Sequence, residues 1–174
     1  MNHMVKVYFR EEQSFNQWWI WLLIAVCCGI WIWQFVQQVI MGKPFGTNPI
    51  SDLGVILTGL FPILAILLFR LLKLETVIDD EGIKCRFKPF QRKFKTFLPQ
   101  DIVRYEVKKY NPIREYGGWG IRAGFFRNSS AYNVSGNMGL YMELKNKKSF
   151  LIGTQTPDSI RYAVEKLMRA GEGK

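Results

Sequence analysis

The chain of 174 residues has a single histidine, His3, and only three cysteines. Cys27 and Cys28 are neighbours inside an apolar run and Cys85 stands alone, which leaves no disulfide framework and no Cys-x-x-Cys pair. Such an odd, scattered set fits a reducing, cytosolic compartment. With no histidine after His3, residues 75–174 can assemble neither a zinc site nor a Ser-His-Asp triad. No catalytic residue, cofactor or metal is therefore expected. The glycine cluster Tyr116-Gly-Gly-Trp-Gly120 lacks the spacing of a phosphate loop and opens no obvious helix, so it reads as a bend where strands pass closely. Acidic residues are scarce, 14 against 24 Lys and Arg, and their densest cluster, Asp79-Asp80-Glu81, reads as a solvated turn. A small membrane enzyme is the weakest of the functional readings.

Long uncharged runs are what the chain does have. From Trp18 to Met41 no residue is charged. At 1.5 Å per residue the run reaches about 36 Å, enough to cross a hydrocarbon core of ~30 Å, and it is too long for the apolar part of a signal peptide. A second run, Leu53 to Leu72, is broken only by Arg70 near its end, where a long side chain can reach the headgroups, and Pro62 is expected to kink it. Lys6, Arg10, Arg70, Lys73, Lys84, Arg86 and Lys88 flank the outer ends of the two runs, against Lys43 alone between them. The positive-inside rule then places both termini in the cytosol and Gly42–Asp52 outside. Trp18, Trp19 and Trp21 are expected at the inner interface, Trp31 and Trp33 at the outer one. The sequons at Asn128 and Asn133 would matter only on an extracytoplasmic face. In a helical hairpin, Ala25 and Gly29 should face Pro62 and Ala65 in a small-residue seam, with Gln34 bonding across the helices or to a partner.

After Leu74 the pattern alternates as strands do, and most of the net charge of +10 lies in this part. Thr76–Asp79 and Ile83–Phe87 read as a hairpin. Further strands are expected at 94–97, 103–110, 118–122, 131–134, 139–144 and 149–152, with no interleaved helix. Thr156, Pro157 and Asp158 open a helix with an apolar stripe of Ile160, Ala163, Val164, Leu167 and Met168, which Gly171 is expected to stop. The expected division is an anchor over 1–74 and a cytosolic β domain over 75–174.

Several stretches are distinctive together: Phe9-Arg-Glu-Glu-Gln13, Lys43-Pro-Phe-Gly-Thr-Asn-Pro49, Ile78-Asp-Asp-Glu-Gly-Ile83, Lys109 to Arg122, Ala131-Tyr-Asn-Val-Ser-Gly136 and Leu151-Ile-Gly-Thr-Gln-Thr-Pro157. In these the chain resembles small bacterial membrane proteins in which a transmembrane helical hairpin precedes a bacterial pleckstrin-homology-like domain. The resemblance implies an α+β membrane protein of the bacterial inner membrane, with a β-barrel plugged by its C-terminal α-helix. It carries over no catalytic residue.

Lys84, Arg86 and Lys88 alternate along one strand and so share a face, and Arg92, Lys93 and Lys95 follow closely. Basic residues beside a span attract anionic lipid at about 1 kcal/mol each, although setting topology and solubility would account for them equally well. No nucleic-acid motif accompanies them. Two functions remain: an accessory subunit docking on a larger membrane protein or on a second copy of itself, and a module reading anionic lipid.

Overall fold

The computed structural model describes residues 5–43, 46, 49–124 and 128–172. His3 and most of the Lys43–Pro49 motif lie outside them. The chain divides after Phe15 and after Leu71 into a helical unit and a strand-rich unit, each described by itself below.

Among the described residues, the helical unit holds two helices long and apolar enough to cross a membrane, Trp18–Ile40 and Asp52–Leu71. The first is α1 (Trp18–Phe35), ending in a π-helical turn over Val36–Ile40. The second is broken into α2 (Asp52–Thr58) and α3 (Leu60–Leu71). The break falls at Gly59, not at Pro62 itself. Proline cannot donate to the carbonyl four residues back and its ring pushes that carbonyl aside; here the carbonyl is that of Thr58, where α2 stops. Ser51 Oγ accepts the N–H of Gly54 at 3.2 Å and caps α2.

Among the described residues, the strand-rich unit consists of two sheets and no closed barrel. The first sheet has the order β1-β2-β3-β4, where β1 is Val7–Ser14, β2 Lys73–Asp79, β3 Ile83–Lys88 and β4 Lys95–Phe97. The second has the order β5-β8-β9-β7-β6, with β5 Ile102–Lys109, β6 Gly120–Ala123, β7 Ser129–Asn133, β8 Met138–Leu144 and β9 Ser149–Gly153. Strand β7 runs parallel to β9, so the second sheet is mixed. Val7–Ser14, grouped by sequence with the anchor, is a strand of this unit: it pairs antiparallel with β2 from Val7↔Asp79 to Ser14↔Lys73. A short helix, α4 (Pro112–Tyr116), interrupts the expected run of strands. Asn111 Oδ1 accepts the N–H groups of Ile113 and Arg114, and Gly117, at φ +71°, ends the turn. Asn, Pro and Gly at cap, first and last-plus-one positions are a helix signature that the bend reading overlooked.

Helix α5 (Pro157–Glu172) continues through Gly171, past the expected stop. It packs on β1 and β2 of one sheet and on β5 and β8 of the other. Ile160, Ala163, Val164 and Leu167 are buried along its stripe. An aromatic row joins the two sheets beneath: Phe15 to Phe87, Phe87 to Tyr132, Tyr132 to Phe150 and Phe150 to Phe97, at centroid separations of 4.8–6.4 Å. Polar links join them too. Glu11 accepts from Thr154 Oγ1 and from the Gln155 N–H, both at 2.8 Å, and Gln13 Nε2 donates to the Gly153 carbonyl at 2.7 Å. At the β2–β3 turn, Gly82 has no room for a side chain, because a Cβ there would stand 2.4 Å from the Phe97 carbonyl oxygen.

Leu167 is 1% exposed at the centre of the α5 stripe. Leu167→Ala should lower the stability of the strand-rich unit by about 2–5 kcal/mol, read as a lower Tm with near-unchanged secondary structure by circular dichroism. An unshifted Tm would show that α5 is not part of the core.

Candidate functional site

The basic strand face is half-buried, and carboxylates engage it. The hairpin turn sets Ile78 opposite Ile83, and so Glu75 opposite Arg86. The Glu75 side chain is 2% exposed and three cations surround it. Arg86 Nε and Nη2 approach Oε2 at 2.7 and 2.6 Å, Lys88 Nζ approaches the same oxygen at 3.0 Å, and Arg10 Nη2 reaches Oε1 at 2.9 Å from β1. Burial works against ionisation of Glu75, but the hydrogen bonds and charges of Arg86 and Lys88 outweigh it and hold the carboxyl below the usual range. Lys84 is likewise consumed: it bonds Asp79 at 2.7 Å and Glu81 on the adjoining turn. Burial disfavours its charge, yet those two hydrogen bonds win and raise its pKa above that of an ordinary lysine.

The acidic turn is correspondingly not a free tip. Asp79 is 3% exposed and its Oδ1 accepts the N–H groups of Glu81 and Gly82, both at 3.1 Å. Asp80 Oδ1 accepts the N–H of Lys6 at 3.2 Å, and only Glu81 is largely solvated.

Of the remaining cations, Lys95 is exposed as a residue, but its ammonium lies 4.2 Å from the Phe150 centroid and within 6 Å of Phe97 and Tyr132. Loss of water around it pulls its pKa below the lysine norm. Beside it Cys85 is fully buried, which pushes its thiol up to about 12 and leaves it inert. Arg92 and Lys93 are exposed, and among the described residues neither has a carboxylate at ion-pair distance. The six cations therefore divide. Lys84, Arg86 and Lys88 serve the fold, Lys95 sits on a ring cluster, and Arg92 and Lys93 face solvent.

The helical seam is also rearranged. Ala25 and Gly29 are exposed, and nothing lies within 4 Å of where a Cβ on Gly29 would stand, so they do not form the expected seam. Pro62 is buried and Ala65 half-buried. The buried positions of the first helix are Ile20, Ile24 and Gln38, with Trp31 half-buried, and of the second Val55, Gly59 and Pro62. Trp31, expected at the outer interface, lies between the helices: its Nε1 donates to the Val55 carbonyl at 2.8 Å, and its ring fills the place of a Gly59 side chain. Gln34 is half-buried, and the glutamine that bonds across is Gln38, to the Ile50 carbonyl at 2.5 Å and Asp52 Oδ1 at 3.0 Å. The reason is steric: the ring of Trp31 needs the space that glycine leaves, and Gly59 supplies it where Gly29 does not.

Sequence reasoning missed Arg10, Glu75, Trp31 and Gln38. The hairpin register alone places Glu75 opposite Arg86, a signal that was there to be read. Arg10 gave none, since its strand pairs across the whole helical unit.

No protein-family model matches the chain, and no curated protein matches it.

Because Glu75 is held below its unfolded pKa of about 4.3, its contribution is complete above that value and disappears as pH falls through the lower folded one. Glu75→Gln should cost about 2 kcal/mol at neutral pH, less than the ~3–5 of a fully enclosed pair because Arg10 and Lys88 can turn to water. It should also flatten the loss of stability below about pH 4.3, measured by denaturant unfolding against pH. An unchanged acid limb in the variant would remove Glu75 from this role.

Proposed function

We propose that this chain is a membrane-anchored docking subunit with no turnover chemistry of its own. Its helical hairpin spans the bacterial inner membrane, both termini lie in the cytosol, and its strand-rich unit is a pleckstrin-homology-like domain held at the cytosolic face. The observation that carries this reading is the β1–β2 pairing. Strands immediately before the first span and immediately after the second lie side by side in one sheet over Val7–Ser14 and Lys73–Asp79. This pairing supports a hairpin whose two spans leave and return on the same side of the bilayer, with the sheet tethered at two points, by the three residues 15–17 and by Leu72 alone. The excess of Lys and Arg on that side selects the cytosol. The order of β strands followed by a terminal helix that covers both sheets supports the pleckstrin-homology-like assignment.

A larger membrane protein, or a second copy of this chain, is the proposed partner, together with the bilayer itself. Ala25 and Gly29, four apart and exposed, would let a partner helix approach closely. Lipid sensing by Lys84, Arg86 and Lys88 is the second reading, and their engagement with Asp79, Glu81 and Glu75 weakens it.

Two measurements test this. Cysteines at Gly46 and Glu81, in a background without Cys27 and Cys28, should react with a membrane-impermeant thiol reagent from opposite sides, Gly46→Cys in intact cells and Glu81→Cys only in inverted vesicles. The reverse pattern would invert the topology. A Cβ at Gly29 meets nothing within 4 Å, so Gly29→Leu should remove whatever co-purifies in mild detergent while the Tm of the strand-rich unit stays put. Retention of the same partner would defeat docking through this face, and a metabolite turned over by the purified protein would defeat the non-catalytic reading.

A further inference from the structure

We propose that the turn joining β3 to β4 is a headgroup-seating element, in which Phe90 enters the interfacial layer of an anionic bilayer while Arg92 and Lys93 bind lipid phosphates beside it. This rests on the membrane-anchored part of the reading above. Ser14, Lys73 and Lys88 are in register across β1, β2 and β3, at one end of the first sheet. That is the end from which the chain runs to both apolar helices, through residues 15–17 and through Leu72. The turn following Lys88 therefore belongs to the covalently tethered end of the sheet, whereas the Asp80–Gly82 turn belongs to the other.

The turn is held, and its aromatic ring is outside. The N–H of Gln91 donates to the Phe87 carbonyl at 2.8 Å, and Gln91 Oε1 accepts the N–H of Phe87 at 3.2 Å. Gln91 Nε2 in turn donates to the Tyr132 hydroxyl at 2.5 Å, tying the turn to the second sheet. Yet Phe90, one residue earlier, is 65% exposed. A large apolar ring on a pre-ordered turn is costly in water and loses little entropy on burial.

Its charged neighbours decide what would cover it. Arg86 and Lys88 are spent on Glu75, but Arg92 and Lys93 remain exposed with no carboxylate at ion-pair distance among the described residues. An aromatic flanked by cations, on a segment already chained to two spans, matches the apolar boundary and anionic headgroups of a cytosolic leaflet.

The test uses the full chain with Cys27 and Cys28 changed to serine, reconstituted in vesicles of phosphatidylcholine with or without phosphatidylglycerol. An NBD fluorophore is attached at Phe90→Cys or, at the far end of the same sheet, at Glu81→Cys, and shallow nitroxide-labelled lipid serves as quencher. We expect strong quenching at 90 and little at 81 in vesicles containing phosphatidylglycerol, with loss of the signal at 90 on Arg92→Glu/Lys93→Glu. Equal quenching at the two sites overturns the proposal, as does quenching at 90 that survives both charge reversal and removal of phosphatidylglycerol. Flotation of the same vesicles separates the causes. Protein that fails to float overturns the membrane anchor and this inference together, whereas protein that floats without selective quenching at 90 overturns this inference alone. Because no protein partner is present, docking through Gly29 is not at stake.

Discussion

Seven rungs of antiparallel pairing between β1 and β2 hold together segments that the two apolar helices separate by almost sixty residues. Closing so long a loop costs only slightly more entropy than closing a short one, and the pairing recovers it through a ladder of hydrogen bonds with side chains packed on both faces. Phe9 and Gln13 on β1 and Leu74, Thr76 and Ile78 on β2 lie buried on one face, and Glu75 and Asp79 on the other. Strand β1 then supplies Glu11 and Gln13 to Thr154, Gln155 and Gly153 at the end of the second sheet. The polar character that hides β1 as a strand in the sequence is what lets it tie the sheets together.

Charge is handled by the same logic. One carboxylate with almost no exposure, Glu75 on β2, gathers Arg10 from β1 and Arg86 and Lys88 from β3. Removing it from water is costly, and the charge-assisted bonds must offset that cost. A row of cations that looks available along β3 is thereby drawn into a network around buried carboxylates, while Arg92 and Lys93 of the following turn are left exposed without one. The distinction matters for function, since a lysine already bonded to two carboxylates has little left to offer a phosphate.

The helical unit shows the same contrast between composition and placement. Small residues occur on both helices, but only those beside Trp31 are used inside the hairpin. The indole occupies the space over Gly59 and donates to Val55, near the point where Pro62 has already loosened the helix. Ala25 and Gly29 are left on the outside, which converts an expected internal seam into an outward surface.

Periodicity and composition were enough to read the two apolar helices, most strands from Thr76 onward and the amphipathic α5, because each depends on residues close in sequence: uncharged length, alternation, a 3.6-residue stripe. The short α4 was also legible, in Asn111, Pro112 and Gly117. What the tertiary structure alone decided is which side chains meet. That β1 joins the sheet, that the strands form two open sheets in place of a barrel, and that β7 runs parallel to β9 all follow from pairings between distant segments. The fate of each cation follows in the same way. A sequence records that Lys84, Arg86 and Lys88 share a face, but whether that face is open depends on Asp79, Glu81 and Glu75 arriving within 3 Å of it. Coulomb attraction and desolvation depend on distance and burial, and only the folded chain has those.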